Sequence, residues 1–251
     1  MRALITNDDG IDSPGLATLA SAALACGLEV VVAAPSTQAS GTSASVAAVG
    51  DSGRVVSERR TLPGLDVEAH AVAAHPGLIA LIACNGGFGG KPDVVLSGIN
   101  LGANVGRAIL HSGTVGAALT AHVNDVTAMA VSLDVGLDEP EPLWDTAGEV
   151  VRAVLPVLLE MPAASVLSLN VPNAGEVKGL RWAELARFGT VQSRVDEVGE
   201  GEVELVHVYA EDSLVPGTDT ALLAEGFATV TALHSVGRDV SPERALPAWP
   251  A

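Results

Sequence analysis

Aromatic side chains are nearly missing: 251 residues hold three Trp, one Tyr and three Phe. With 48% of residues hydrophobic but 3% aromatic, the core must be built from Ala, Val and Leu. Small aliphatic cores suit a parallel sheet covered by helices on both faces. Basic residues are scarce as well, 13 Lys and Arg against 30 Asp and Glu, for a net charge of −17. That balance excludes a broad basic surface, and with it nucleic-acid polymers and anionic membranes as partners. An anionic substrate would need a local positive centre, which a bound metal or a helix N-terminus supplies. The two cysteines, Cys26 and Cys84, lie in apolar surroundings with neither knuckle nor framework spacing and read as buried free thiols. No run has the length of a membrane span, and Asp8 and Asp9 come too early for a signal peptide, so a cytoplasmic setting is expected.

What is present starts at the N-terminus. Ala3-Leu4-Ile5 is too short for a helix and ends in Asn7-Asp8-Asp9-Gly10, so it reads as a buried strand feeding a polar turn. Two adjacent carboxylates thus sit at the carboxyl end of a first strand, the edge where open α/β sheets bind ligands. Such neighbours repel unless a proton or cation lies between them, and hard divalent metals take these oxygens readily. A plain turn would use the same residue types.

Ser13-Pro14-Gly15 opens a helix that Gly27 closes, with the Ser13 hydroxyl available as a cap. Residues 28–34 form a second buried strand, followed by a small-polar loop carrying Ser40 on the same sheet edge. Residues 45–75 suggest paired β segments around Pro63-Gly64, and 78–84 a helix. The glycine-rich stretch 85–90 precedes a strand and reads as a connector. A third strand, Val94-Val95-Leu96, runs into a loop of recurring Gly and Asn that includes Asn100 and Asn104. His111-Ser112-Gly113-Thr114 opens an Ala-rich helix to about Val123, where free N–H groups and hydroxyls suit either an oxyanion or ordinary capping. Residues 128–133 are a fourth strand, and strand alternating with helix makes the fold a doubly wound α/β one with a mostly parallel, Rossmann-like sheet.

From Pro140 the pattern changes: an amphipathic helix over 144–159, a strand over 165–170, an acidic hairpin over 191–209, a helix after Thr218-Asp219 and a strand over 227–233. The chain therefore divides into an α/β core over 1–135 and a C-terminal part over 136–251 that completes the sheet. An acidic hairpin rarely stands alone, and contact with another subunit is expected of it. The Pro-rich tail after Arg238 reads as loosely ordered.

Taken in order, TNDDG before a Pro-Gly helix start, the segment Ala34–Gly41, SGIN-x-G-x-N-x-G at Ser97–Gly106, SGTV-x-A-A at Ser112–Ala118, SLNVP at Ser168–Pro172 and Thr218-Asp219 resemble the survival protein SurE family of metal-dependent 5′/3′-nucleotidases, also described as acid phosphatases. The resemblance implies one Mg²⁺ or Mn²⁺ per subunit on Asp8, Asp9, Ser40 and Asn100, and a phosphate held by Asn104, Ser112, Gly113 and Thr114. It also implies a homodimer or homotetramer built through the C-terminal segment. Hydrolysis of nucleoside monophosphates is the reaction expected, with Asp8 and Asp9 catalytic and Asp8 orienting or deprotonating the attacking water. Three positions depart from the family pattern: Leu78, His111 and Thr120 replace an acidic residue, a tyrosine and a glutamate, around the expected leaving-group pocket. His111 and His75 are candidates for that side of the site, as imidazoles able to protonate a leaving alkoxide or merely to fill space. The other readings left open are a phosphatase of this fold specific for a phosphorylated metabolic intermediate, and a catalytically silent ligand-binding homologue.

Overall fold

Strands that are apolar on both faces need helices over both, and helices cover both faces here. The computed structural model describes residues 1–47, 54–136, 141–187, 191–199, 202–209 and 214–236. Its central strands are β1 (Arg2–Thr6), β2 (Glu29–Pro35), β5 (Val94–Leu101), β6 (Thr127–Asp134) and β7 (Val166–Pro172), nearly all buried. Side chains alternate between faces along each strand. Ile5 and Leu96 therefore pack with Leu16 and Leu19 of α1 (Pro14–Ala25) and with Val151, Leu155 and Leu158 of α4 (Trp144–Glu160). Leu4 and Val95 pack on the other side, with Ile79 of α2 (Pro76–Cys84) and Val115 and Ala118 of α3 (Gly113–His122).

With the edge strands β3 (Ser57–Arg60), β4 (Glu68–Val72), β8 (Leu180–Trp182) and β11 (Ala228–Leu233), the nine-stranded sheet runs β3-β4-β2-β1-β5-β6-β7-β11-β8. From β4 to β7 every pairing is parallel; β3 on β4 and β11 on β7 are antiparallel. The chain leaves β1 toward β2 on one side and later returns to β5 on the other. That reversal opens a crevice at the carboxyl ends of β1 and β5, where a doubly wound sheet places its ligand.

β5 continues to Leu101, well past the three apolar residues that signal it in the sequence. It does so through a register shift against β6 between Ser97 and Asn100. Gly98 makes the irregularity feasible: its φ is +136°, and a Cβ there would lie 2.2 Å from the Val131 carbonyl oxygen. Such a bulge re-aims the residues that follow it, here Asn100. Smaller corrections concern helix starts. α2 begins at Pro76, two residues before the apolar run, and Ser13 precedes α1 without a side-chain capping bond. The three-residue edge strand β8 is too short to announce itself by alternation. Both cysteines are free, Cys84 buried and Cys26 only half-buried.

In the acidic stretch, β9 (Val191–Gly199) and β10 (Glu202–Tyr209) pair antiparallel as a separate two-stranded sheet. The tail after Arg238 lies outside the described residues. Among the described residues no helix is long and apolar enough to cross a membrane.

Candidate functional site

Asp8 and Asp9 stand two and three residues beyond the end of β1, and opposite forces act on them. Asp8 is 4% exposed. Burial pushes its carboxyl above the ordinary range, opposed by hydrogen bonds from the Thr114 side chain and from the backbone at Asp8, Thr114 and Gly113. The Thr114 hydroxyl donates to Asp8 Oδ1, and the Thr114 N–H donates to Oδ2 at 3.2 Å. The start of α3 thus aims its free donors and its dipole at Asp8. Gly113 has no room for more, because a Cβ there would lie 2.8 Å from Asp8 Oδ2. Asp9 is less enclosed and its carboxyl is pushed up to about 6, chiefly by burial, with the Asp8 charge adding and the Leu101 N–H opposing. That N–H donates to Asp9 Oδ2 at 3.2 Å.

The turn between the strand and α1 is itself fixed. Asn7 exchanges two bonds with the backbone of Gly10, at 3.0 and 3.1 Å, and the Asp8 carbonyl accepts from Ala39 N at 2.7 Å. The second contact brings the loop after β2 alongside, so that Ser40 faces the carboxylates across the cleft, its Oγ accepting from Gln38 Nε2 at 3.0 Å. Asn100 donates from Nδ2 to the Gly102 carbonyl at 2.7 Å, which orients the amide so that Oδ1 lies 3.4 Å from the Thr114 hydroxyl. Asn104 follows on the loop, its Nδ2 donating to Ser132 Oγ at 2.8 Å. A 3₁₀ turn over Gly106–His111 leads to Ser112, whose Oγ caps α3 by accepting from Val115 N at 3.1 Å.

Asp8, Asp9, Ser40, Asn100, Asn104, His111 and Ser112 all line one open cleft of about 280 Å³. Three residues singled out in the sequence do not line it. Thr114 is fully buried with both donors given to Asp8, so it serves the carboxylate and not the open space. Gly113 lies behind Asp8 in the same way. His75 stands just before α2, outside the lining. Of the three departures from the family pattern, only His111 borders the cleft. Leu78 packs half-buried against the α2–α3 core, and Thr120 is buried with its hydroxyl donating to Gly116 O at 2.7 Å, so neither lines the cleft. Ser132, Asn170 and Asp219 hold the cleft wall but carried no sign of it in the sequence, since their partners are backbone groups and amides far along the chain.

Among the described residues no three His, Cys, Asp or Glu side chains cluster so as to hold a metal. A cation here would rest on two carboxylates and the neutral oxygens of Ser40 and Asn100. That donor set is all hard oxygen with two negative charges and fits a hard divalent ion.

A sequence model of the survival protein SurE matches residues 3–191, a stretch that holds every residue of the cleft. The chain belongs to the SurE family. Its relatives include the 5′-nucleotidase SurE of Pseudomonas entomophila, 35% identical over 251 residues that cover 93% of this chain and 92% of the relative. The 5′-nucleotidase SurE of Desulforamulus reducens is 32% identical over 264 residues, covering 99% and 98%. The crystal structure of the SurE protein from Aquifex aeolicus superposes with a TM-score of 0.76 at 28% identity, covering 93% of each chain. Fold and family therefore agree with the reading from the residues.

Proposed function

We propose that this SurE-family chain is a divalent-metal-dependent phosphomonoesterase that hydrolyses nucleoside 5′- and 3′-monophosphates to nucleoside and phosphate. The observation that carries the reading is the convergence of Asp8, Asp9, Ser40 and Asn100 with Asn104 and Ser112 in one cleft, in a chain whose relatives are named 5′-nucleotidases. Asp8, Asp9, Ser40 and Asn100 would hold Mg²⁺ or Mn²⁺, which when bound polarises a phosphoryl oxygen and lowers the pKa of a bound water. Thr114 and Gly113 keep Asp8 oriented as the group that positions or deprotonates the attacking water. Asn104 and Ser112 face the phosphate. His111, on the open side, is suited to protonate the departing alkoxide.

The two free cysteines suit a reducing cytoplasm. The separate β9–β10 hairpin would gain stability by packing on a second copy of the chain, because a two-stranded sheet alone is marginal in water. Light scattering on the purified protein tests for the dimer or tetramer.

The deciding experiment measures phosphate release from all 5′- and 3′-nucleoside monophosphates, p-nitrophenyl phosphate and sugar phosphates, with Mg²⁺, Mn²⁺ or chelator. Cation-dependent release from nucleotides, lost on chelation, is expected. Preference for a non-nucleotide ester would reassign the leaving group, and no release from any ester with any cation would overturn the reading.

A further inference from the structure

The cleft wall that carries Asn104 and Ser112 is tied down from the far end of the chain. Asp219, the first residue of α5 (Asp219–Ala224), is 1% exposed, and both its carboxylate oxygens point at backbone N–H groups. Oδ2 accepts from Gly106 N at 2.7 Å. Oδ1 accepts from Ala186 N at 2.9 Å and from Thr220 N at 2.8 Å. The same three segments are joined again by Arg107 N donating to Ala186 O at 3.1 Å and Asp219 N donating to Glu184 O at 2.8 Å. Gly106 and Arg107 thus both meet the C-terminal half, Gly106 through the buried Asp219 carboxylate and Arg107 through the carbonyl of Ala186, whose N–H donates to the same carboxylate.

A second tie lies two residues upstream. Asn170, near the end of β7 and also buried, accepts from Asn104 N at 2.8 Å through Oδ1 and donates from Nδ2 to Asn104 O at 2.9 Å. The Asn104 backbone is gripped on both its polar groups, while its side chain is held by Ser132. Neither Asp219 nor Asn170 lines the cleft, so neither can touch a substrate there. An acidic side chain buried without solvent contact is costly unless its lone pairs are filled, and here three donors fill them.

We propose that Asp219, seconded by Asn170, is a positioning residue that sets the wall 104–112 and hence the affinity of the cleft for a phosphoryl group. The assignment of that wall to phosphate rests on the function proposed above. Asp219 must be a carboxylate for this task. In Asp219→Asn an amide N–H₂ would face either Gly106 N–H or the Ala186 and Thr220 N–H pair, donor against donor, and at least one tie is lost.

The test uses full-length Asp219→Asn and Asn170→Ala, with hydrogen exchange of the peptides over 102–112 compared with those over 2–25, and inhibition of phosphate release by inorganic phosphate. Losing a charge-assisted bond that closes the wall should speed exchange over 102–112 by roughly tenfold or more with 2–25 unchanged. The inhibition constant for phosphate and KM should rise by about tenfold, with the cation concentration for half-maximal activity unaltered. Unchanged exchange over 102–112, or faster exchange throughout the chain, would overturn the proposal; so would a rise in the cation requirement with KM unmoved. Should Asp219→Asn fail to fold, Asn170→Ala decides by the same criteria. If the wild type itself releases no phosphate, the function reading fails and the exchange result alone decides the positioning role.

Discussion

The floor and the wall of the cleft are built by different means. On the floor, Asp8 and Asp9 carry the charge and are held by Thr114 at the head of α3 and by Leu101 at the end of β5, the strand beside β1. The wall turns amide and hydroxyl groups to the cleft, Asn104 on a loop and Ser112 just past the 3₁₀ turn, and is anchored by Ser132, Asn170 and Asp219 on three later elements. The floor concentrates negative charge where a cation is wanted; the wall offers amide and hydroxyl groups where an anion is wanted. Removing a floor residue should therefore abolish the chemistry, whereas loosening the wall should weaken binding and leave the chemistry in place.

The largest effect is expected on the floor. Asp9→Asn should lower cation-dependent phosphate release by at least about 10³-fold, since it removes a ligand charge and relieves the repulsion that makes a cation necessary. Asp8→Asn should lose turnover by a similar factor but shift the cation requirement less, because a neutral amide can still ligate but cannot take a proton. Steady-state rates across a Mg²⁺ titration separate the two, and equal loss of turnover and cation affinity in Asp8→Asn would leave it a ligand only. Next in size is Gly113→Ala. The added methyl would sit 2.8 Å from Asp8 Oδ2, so the carboxylate must shift, and misplacement of that order costs roughly 10²-fold in rate. Circular dichroism should show the fold retained.

These two regions also differ in how far the sequence reveals them. Asp8-Asp9 follows a short apolar run directly, and Ser112-Gly113-Thr114 opens a helix, so local pattern alone puts them at strand and helix ends. The doubly wound order was legible for the same reason, each element being announced by its own period. What local pattern cannot show is which partner a polar group meets. The resemblance gave Thr114 to the phosphate, and in the structure its hydroxyl and its N–H both donate to Asp8. The resemblance put Leu78 and Thr120 around the leaving-group pocket, yet neither lines the cleft, Leu78 packing half-buried against the helices and Thr120 buried. Asn170 and Asp219 were visible only as parts of SLNVP and Thr-Asp, with no period or charge pattern to tell their task. Their contacts span 66 and 113 residues of chain.

On the wall, Ser132→Ala is the mildest cut into the site. It removes the 2.8 Å acceptor of Asn104 Nδ2 but leaves both backbone ties to Asn170. A neutral hydrogen bond of this kind contributes about 1 kcal/mol, so KM for the best nucleotide should rise about fivefold with kcat within about twofold. A comparable fall in kcat would mean that the wall takes part in the chemical step and would erase the contrast with the floor.

The smallest effect concerns a carboxyl without a task in the cleft. Asp134, the last residue of β6, is partly buried, and burial pushes its carboxyl above its ordinary value of 3.8, with the Gly136 N–H opposing. A raised folded-state pKa means that the folded chain binds the proton more tightly than the unfolded one. Asp134 therefore costs nothing below pH 3.8, and its cost grows as pH rises from there through the folded-state pKa, then stays constant. Asp134→Asn keeps an oxygen for Gly136 N, which now donates at 3.3 Å, and carries no charge to bury. Thermal unfolding at pH 7 should show it slightly more stable than wild type, by no more than about 0.5 kcal/mol, with unchanged phosphate release. The difference should shrink on acidification toward the ordinary carboxyl range. Asp8 and Asp9 are pushed in the same direction, so Asp9→Asn should also gain stability in the absence of cation and lose that advantage when Mg²⁺ or Mn²⁺ is added. Added cation that stabilises the Asp9→Asn variant as much as the wild type would show that the charge of the floor does not serve the metal.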